Sequence, residues 1–162
     1  HLSLRRQRQM CIRDRLSAHT INAATQNFAG GRMLWLNSAA EDYLGNMVIV
    51  IYTSTIQPGQ PTVYDEYIDD WRAGVDPDVY LDGNTAATPI TYPIMRGFGK
   101  VWFRAYRRSP ITLAPALTPE VAQPALVQRY YSGAYIVKLP NEGIVYAFGA
   151  NRTDIVTYVI NH

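Results

Sequence analysis

The chain has 162 residues, 48% of them apolar and 17% charged, with a formal net charge of +2, which suits one domain able to bury a core. Its single cysteine, Cys11, and its three histidines, His1, His19 and His162, which sit at or near the chain ends, exclude disulfides, ordinary cysteine or histidine zinc sites, and Ser-His-Asp or Cys-His catalysis. The longest strongly apolar run, MVIVIY at 47–52, falls far short of the ~18–20 residues of a membrane-spanning helix, and the composition reads as that of a soluble protein.

In chain order, residues 5–15 come first. They read RRQRQMCIRDR, with five arginines in residues 1–15 and a composition unlike anything that follows. This stretch resembles translated sequencing-adapter read-through from environmental assemblies. The resemblance covers those eleven residues alone, and implies that 1–15 is a non-native, disordered artefact to be set aside before fold reasoning. A natural basic arm for nucleic acid is the competing reading. Without residues 1–15, ten basic and twelve acidic side chains remain, and the charge of the body becomes −2. Such a body gives no support for binding a phosphate backbone.

From 16 to 162 the sequence predicts a single mostly β domain. Ala18 to Gly31 looks loosely ordered. Then come short β-branched and aromatic runs separated by Gly, Pro, Asn and Asp, at 31–37, 46–55, 78–82, 89–95, 99–107, 133–139, 143–148 and 154–161. Eight runs predict an antiparallel two-sheet sandwich, jelly-roll or immunoglobulin-like. MVIVIY is apolar on both faces and reads as a central strand, and the last three runs read as an antiparallel meander.

One short helix is predicted near 63–73, where Tyr64, Tyr67, Ile68 and Trp71 recur at helical spacing between a possible Thr62 cap and Gly74. The stretch 109–132, with Pro110, Pro115, Pro119 and Pro124, reads as a surface excursion and not as a central strand. RGFGK at 96–100 reads as a turn entering a strand, since it lacks phosphate-loop spacing.

Candidate binding residues come from KVWFRAYRR at 100–108. Read as a strand, it sends Val101, Phe103 and Ala105 to one face and Trp102, Arg104, Tyr106 and Arg108 to the other. The second face is an aromatic and cationic stripe fit for a protein interface or a glycan platform, or for Arg104 to stack between Trp102 and Tyr106. Tyr130 and Tyr131, beside Tyr135, form a second aromatic cluster.

Carboxylates gather at Asp65, Glu66, Asp69 and Asp70 and again at Asp76, Asp78 and Asp82. A pair of them is the only machinery for a glycosidase-like enzyme, the third-ranked reading. Asp76, Asp78, Asp82 and Asn84 offer hard oxygen ligands for Ca²⁺; no other cofactor is expected, and turn-forming acids are the plain alternative.

The leading functional expectation is a non-catalytic structural or assembly protein, with a bacteriophage virion component (capsid, decoration or tail) as the favoured example, self-associating or joining other structural proteins. Its location would be virion or extracellular, with neither nucleic acid nor membrane as partner. The alternative is a carbohydrate-binding β-sandwich module.

Overall fold

Strands whose side chains alternate between an inner and an outer face build most of the molecule. The computed structural model describes residues 16–37, 45–52, 61–80, 92–107, 113, 115–151 and 155–160. The strands are β1 (His19–Phe28), β2 (Gly31–Asn37), β3 (Asn46–Tyr52), β4 (Pro61–Thr62), β5 (Tyr64–Ile68), β6 (Val79–Tyr80), β7 (Ile94–Met95), β8 (Val121–Arg129), β9 (Tyr135–Leu139), β10 (Ile144–Phe148) and β11 (Ile155–Val159). The helix α1 (Arg96–Val101) runs on into a π-helical turn at Trp102–Tyr106.

Nine strands form one antiparallel sheet in the order β4-β11-β10-β9-β8-β1-β2-β3-β5, while β6 and β7 pair separately. The two outermost members, β4 and β5, are consecutive stretches of chain separated only by Val63. Thr62 pairs with Ile155 on one side of that join and Tyr64 with Ile51 on the other. The curled sheet therefore closes on itself as a barrel of eight strand positions. Closure removes sheet edges and encloses a small core.

Alternation then fixes two cores. Ile21, Ala23, Leu34, Leu36, Met47, Ile49, Ile51, Val137 and Leu139 point inward with Tyr64, Tyr135, Tyr146 and Phe148. Tyr135 stacks on Phe148 at 4.3 Å with 10° between planes, and Tyr64 meets the same ring edge-on at 5.0 Å. On the outer face, Ala24, Met33, Val48 and Val50 lie under Tyr80, Ile94, Phe98, Trp102 and Tyr106 of the segment between β5 and β8. The double burial expected of MVIVIY is found: Met47, Ile49 and Ile51 fill the barrel while Val48 and Val50 hold the outer layer.

One end of the interior is polar. Thr25, Arg32, Gln123 and Tyr146 have the inward parity of their strands, and Glu142 reaches in from the 3₁₀ turn Pro140–Glu142. Arg32 pairs with Glu142 and donates to the Tyr146 hydroxyl at 3.0 Å. Thr25 Oγ1 donates to Glu142 Oε1 at 3.1 Å, and Gln123 Nε2 donates to both Thr25 and Glu142.

Burial pushes the Glu142 carboxyl up, but Arg32, Gln123 and Thr25 outweigh it and hold it below the ordinary value of 4.5. A depressed folded-state pKa contributes stability that is present above the unfolded value and lost as pH falls through the folded one. The thermal midpoint is therefore expected to drop on acidification below about pH 4.5, with a shallower drop in Glu142→Gln. Equal slopes for the two proteins in a melting series would remove Glu142 from this role.

Several sequence expectations are corrected. The strands form one closed sheet, because β4 and β5 bridge its two ends, and not two stacked sheets. Residues 64–68 are a strand and not part of a helix: Tyr64 packs inside on Phe148 while Asp65 and Tyr67 face outward, so pairing with β3 overrides the helical spacing. Residues 96–106 are helical and not a turn and strand.

Besides β4 and β5, two long strands lie where none was expected. β1 falls in the loosely ordered stretch 18–31 and pairs with both β2 and β8. β8 lies inside the Pro-rich excursion. Pro124 is tolerated because β8 pairs with β9 only over Leu126–Arg129, leaving β1 as the lone neighbour at Pro124. The C-terminal meander β9-β10-β11 is found as expected. Residues 1–15 and the Pro110 region lie outside the described residues.

Candidate functional site

The segment between β5 and β8 is fastened to the barrel by polar contacts that use most of the residues singled out above. Glycines at 97 and 99 let α1 approach closely. A Cβ on Gly97 would come within 2.6 Å of the Asp69 carboxylate. That carboxylate also accepts from Trp35 Nε1 at 2.7 Å.

About two turns on, the Tyr106 hydroxyl lies 2.8 Å from that of Tyr52 and 2.9 Å from that of Tyr67, and donates to Asp65 Oδ2 at 3.1 Å. Tyr52 donates to the same oxygen. Burial is the main cause that raises the Tyr52, Tyr67 and Tyr106 hydroxyls above their ordinary range, and the hydrogen bonds shared with Tyr52 and Tyr67 raise Tyr106 further. They are neutral donors at physiological pH. Tyr106→Phe is expected to cost ~1–2 kcal/mol by removing the hydroxyl that joins Tyr52, Tyr67 and Asp65, read from denaturant midpoints; an unchanged midpoint would show that the clamp adds nothing.

The acidic cluster faces α1 from the other side. Lys100 Nζ donates to Asp76 Oδ2 at 2.8 Å and to the Asp70 carbonyl at 2.9 Å. Arg104 grips Asp70 with two parallel bonds of 3.2 and 2.8 Å. Lys100 and Arg104, four residues apart, thus straddle Asp70. The hydrogen bond from Arg104 chiefly lowers the Asp70 carboxyl, and that from Lys100 lowers Asp76; Lys100 itself is raised, first by Asp76.

A cleft of about 450 Å³ is lined by Glu66, Tyr67, Ile68, Asp70, Val101 and Arg104. Its acidic groups already hold partners: Asp70 has Arg104, and Glu66 accepts from the Tyr135 hydroxyl at 2.6 Å.

The sequence-predicted residues separate accordingly. Trp102 and Tyr106, at 3% and 5% exposure, face the barrel and offer no surface platform, while Arg104 points outward. The expected strand stripe is not formed, because in a helix these positions do not share one face. The cation-π contact seen is Arg107 over Phe103, 4.7 Å from the ring centre, instead of Arg104 between Trp102 and Tyr106.

Tyr130 and Tyr131 lie past the end of β8, with Tyr131 70% exposed. Asp76 is turned to Lys100, the Asp78 carbonyl accepts from Arg96 N at 2.9 Å, and Asp82, Asn84 and Arg108 lie outside the described residues. Among the described residues no three acidic, histidine or cysteine side chains converge as metal ligands.

The surface that sequence reasoning missed is the outer face of β8–β11. The helical segment covers β1, β2, β3 and β5, whereas Leu126, Ile136, Val145, Ala147, Val156 and Tyr158 are outward and partly or fully exposed. They form neighbouring rows: Leu126–Lys138–Val145–Tyr158 and Gln128–Ile136–Ala147–Val156. Lys138 is the one charge in these rows. The signal lay in β8–β11 having apolar residues at both parities, which the sequence reading took for a property of the central run alone.

No family model, curated protein or solved structure matches this chain.

Proposed function

We propose that the protein is a non-catalytic structural subunit that associates with further copies of itself through the outer face of β8–β11. One observation carries the reading. Half of the barrel's outer surface is covered by the chain's own helical segment, while the other half presents two rows of side chains that are apolar but for Lys138 and Gln128. A contiguous apolar face of this kind marks an interaction surface. Because it has little charge to complement, an identical face can pack on it, as in the apolar contacts of symmetric oligomers.

The carboxylates of the acidic cluster support the same reading. Asp65, Glu66, Asp69, Asp70 and Asp76 all hold structural partners. A virion subunit, such as that of a bacteriophage, is the kind of assembly proposed, and this narrower step rests on fold class and not on the face itself.

Light scattering on residues 16–162 over a wide concentration range tests it. A defined oligomer or a growing polymer is expected, with Leu126→Glu weakening association at least tenfold while circular dichroism stays native. A monomer at every concentration would overturn the proposal.

A further inference from the structure

The polar end of the barrel interior holds more hydrogen-bonding capacity than its own residues use. Arg32 Nε, Gln123 Oε1 and Thr157 Oγ1 are buried without a protein partner. Gln123 and Thr157 are each 6% exposed and the Arg32 side chain 11%. All three residues lie beside Tyr146 or Glu142. Thr157 is the register partner of Tyr146 on β11, Tyr146 accepts from Arg32, and Arg32 and Gln123 meet on Glu142.

The Gln123 amide is fixed in orientation, since its nitrogen must face the Glu142 carboxylate and the Thr25 hydroxyl, which leaves its oxygen as the unused atom. Each buried polar group left unsatisfied costs ~1–3 kcal/mol, and native proteins hold only a few such groups per 100 residues. Three beside the Arg32–Glu142–Tyr146 network at a barrel end point to an occupant.

The chemistry selects that occupant. Arg32 and Glu142 already neutralise each other, so a charged ligand would oppose one of them. What remains is an N–H donor, a carbonyl acceptor and a hydroxyl able to act either way. A small neutral molecule that both donates and accepts matches all three, and buried water typically makes about three bonds to otherwise unsatisfied groups. We propose that this end of the barrel is a resident-water site, closed by the Pro140–Glu142 turn, whose water bridges Arg32 Nε, Gln123 Oε1 and Thr157 Oγ1.

Thr157→Val and Thr157→Ser test the site without touching the outer face, so failure here is separable from failure of the assembly reading. Water-deuteron relaxation dispersion counts long-lived internal water. The valine variant is expected to lose dispersion amplitude equivalent to at least one molecule and to melt lower, and the serine variant to keep the amplitude of the parent. Equal amplitude in parent and valine variant, or a higher melting temperature in the valine variant, would overturn the proposal. If the valine variant does not fold, the parent and the serine variant decide: dispersion with no long-lived water in the parent refutes the site, and dispersion retained in Thr157→Ser supports it.

Discussion

Phe148→Ala is expected to lower the free energy of unfolding by ~3–5 kcal/mol. The ring is 2% exposed and stands at the junction of the barrel, stacked on Tyr135, met edge-on by Tyr64 and approached by Tyr146 at 6.4 Å. Removing it deletes a large apolar surface and leaves three tyrosines around a space that rigid strands cannot collapse to fill. Tyr135 also donates to Glu66 at 2.6 Å, tying β9 to β5 across the seam, so the damage should reach barrel closure. Denaturant unfolding followed by tyrosine and tryptophan fluorescence measures the cost. A loss below 1 kcal/mol would mean that the aromatic stack is not what fills the barrel.

Gly99→Val should follow, at ~2–3 kcal/mol from overpacking. A Cβ at this position would lie 2.2 Å from Cδ2 of Tyr80 and 2.8 Å from the Ile94 carbonyl oxygen. Tyr80 and Ile94 are both buried beneath the helix, so neither has free space to enter. Leaving glycine for valine recovers only a few tenths of a kcal/mol of helix propensity, and the clash decides the sign. Thermal melting is expected to show a lower midpoint, and near-ultraviolet circular dichroism a change in the aromatic packing around Trp102. A more stable variant would mean that α1 does not sit against β6 and β7 as described.

The parts of the fold that were legible in the sequence are those whose pattern has one structural solution. MVIVIY has no polar face to offer water, so it must be covered on both sides, and the meander from Tyr135 to Val159 consists of three β-branched and aromatic runs joined by segments short enough for hairpins. Where pattern and context compete, context wins. Tyr64, Tyr67 and Ile68 have helical spacing, yet a strand there satisfies the backbone of β3 and closes the sheet. KVWFRAYRR alternates like a strand, yet Gly97 and Gly99 just before it permit a close helical approach that buries Trp102 and Tyr106.

β1 was hidden because HTINAATQNF mixes small and polar residues: Thr25 and Gln26 are buried by partners up to 117 residues away, which no local window reveals. Of the site, the acidic cluster was visible as charge, but of its cationic partners Arg104 reads as part of the aromatic stripe and Lys100 as part of a turn. The apolar face of β8–β11 was visible as residues and not as a face, because its existence depends on which half of the barrel the helical segment covers.

The join at Val63 has a kinetic consequence. Closure needs Pro61–Thr62 to meet Ile155–Val156, and β1 to meet β8 about a hundred residues later in the chain. Such long loops must lose their entropy before the pairing repays it, which places folding in the slow range of ms to s typical of non-local β proteins. During synthesis, β1, β2, β3 and β5 can pair as a sheet with two open sides, but the last strand must leave the ribosome before the ring shuts. Until then the inner surface of half a barrel is exposed, and the interval between making β5 and docking β11 is when this chain is most open to misassembly.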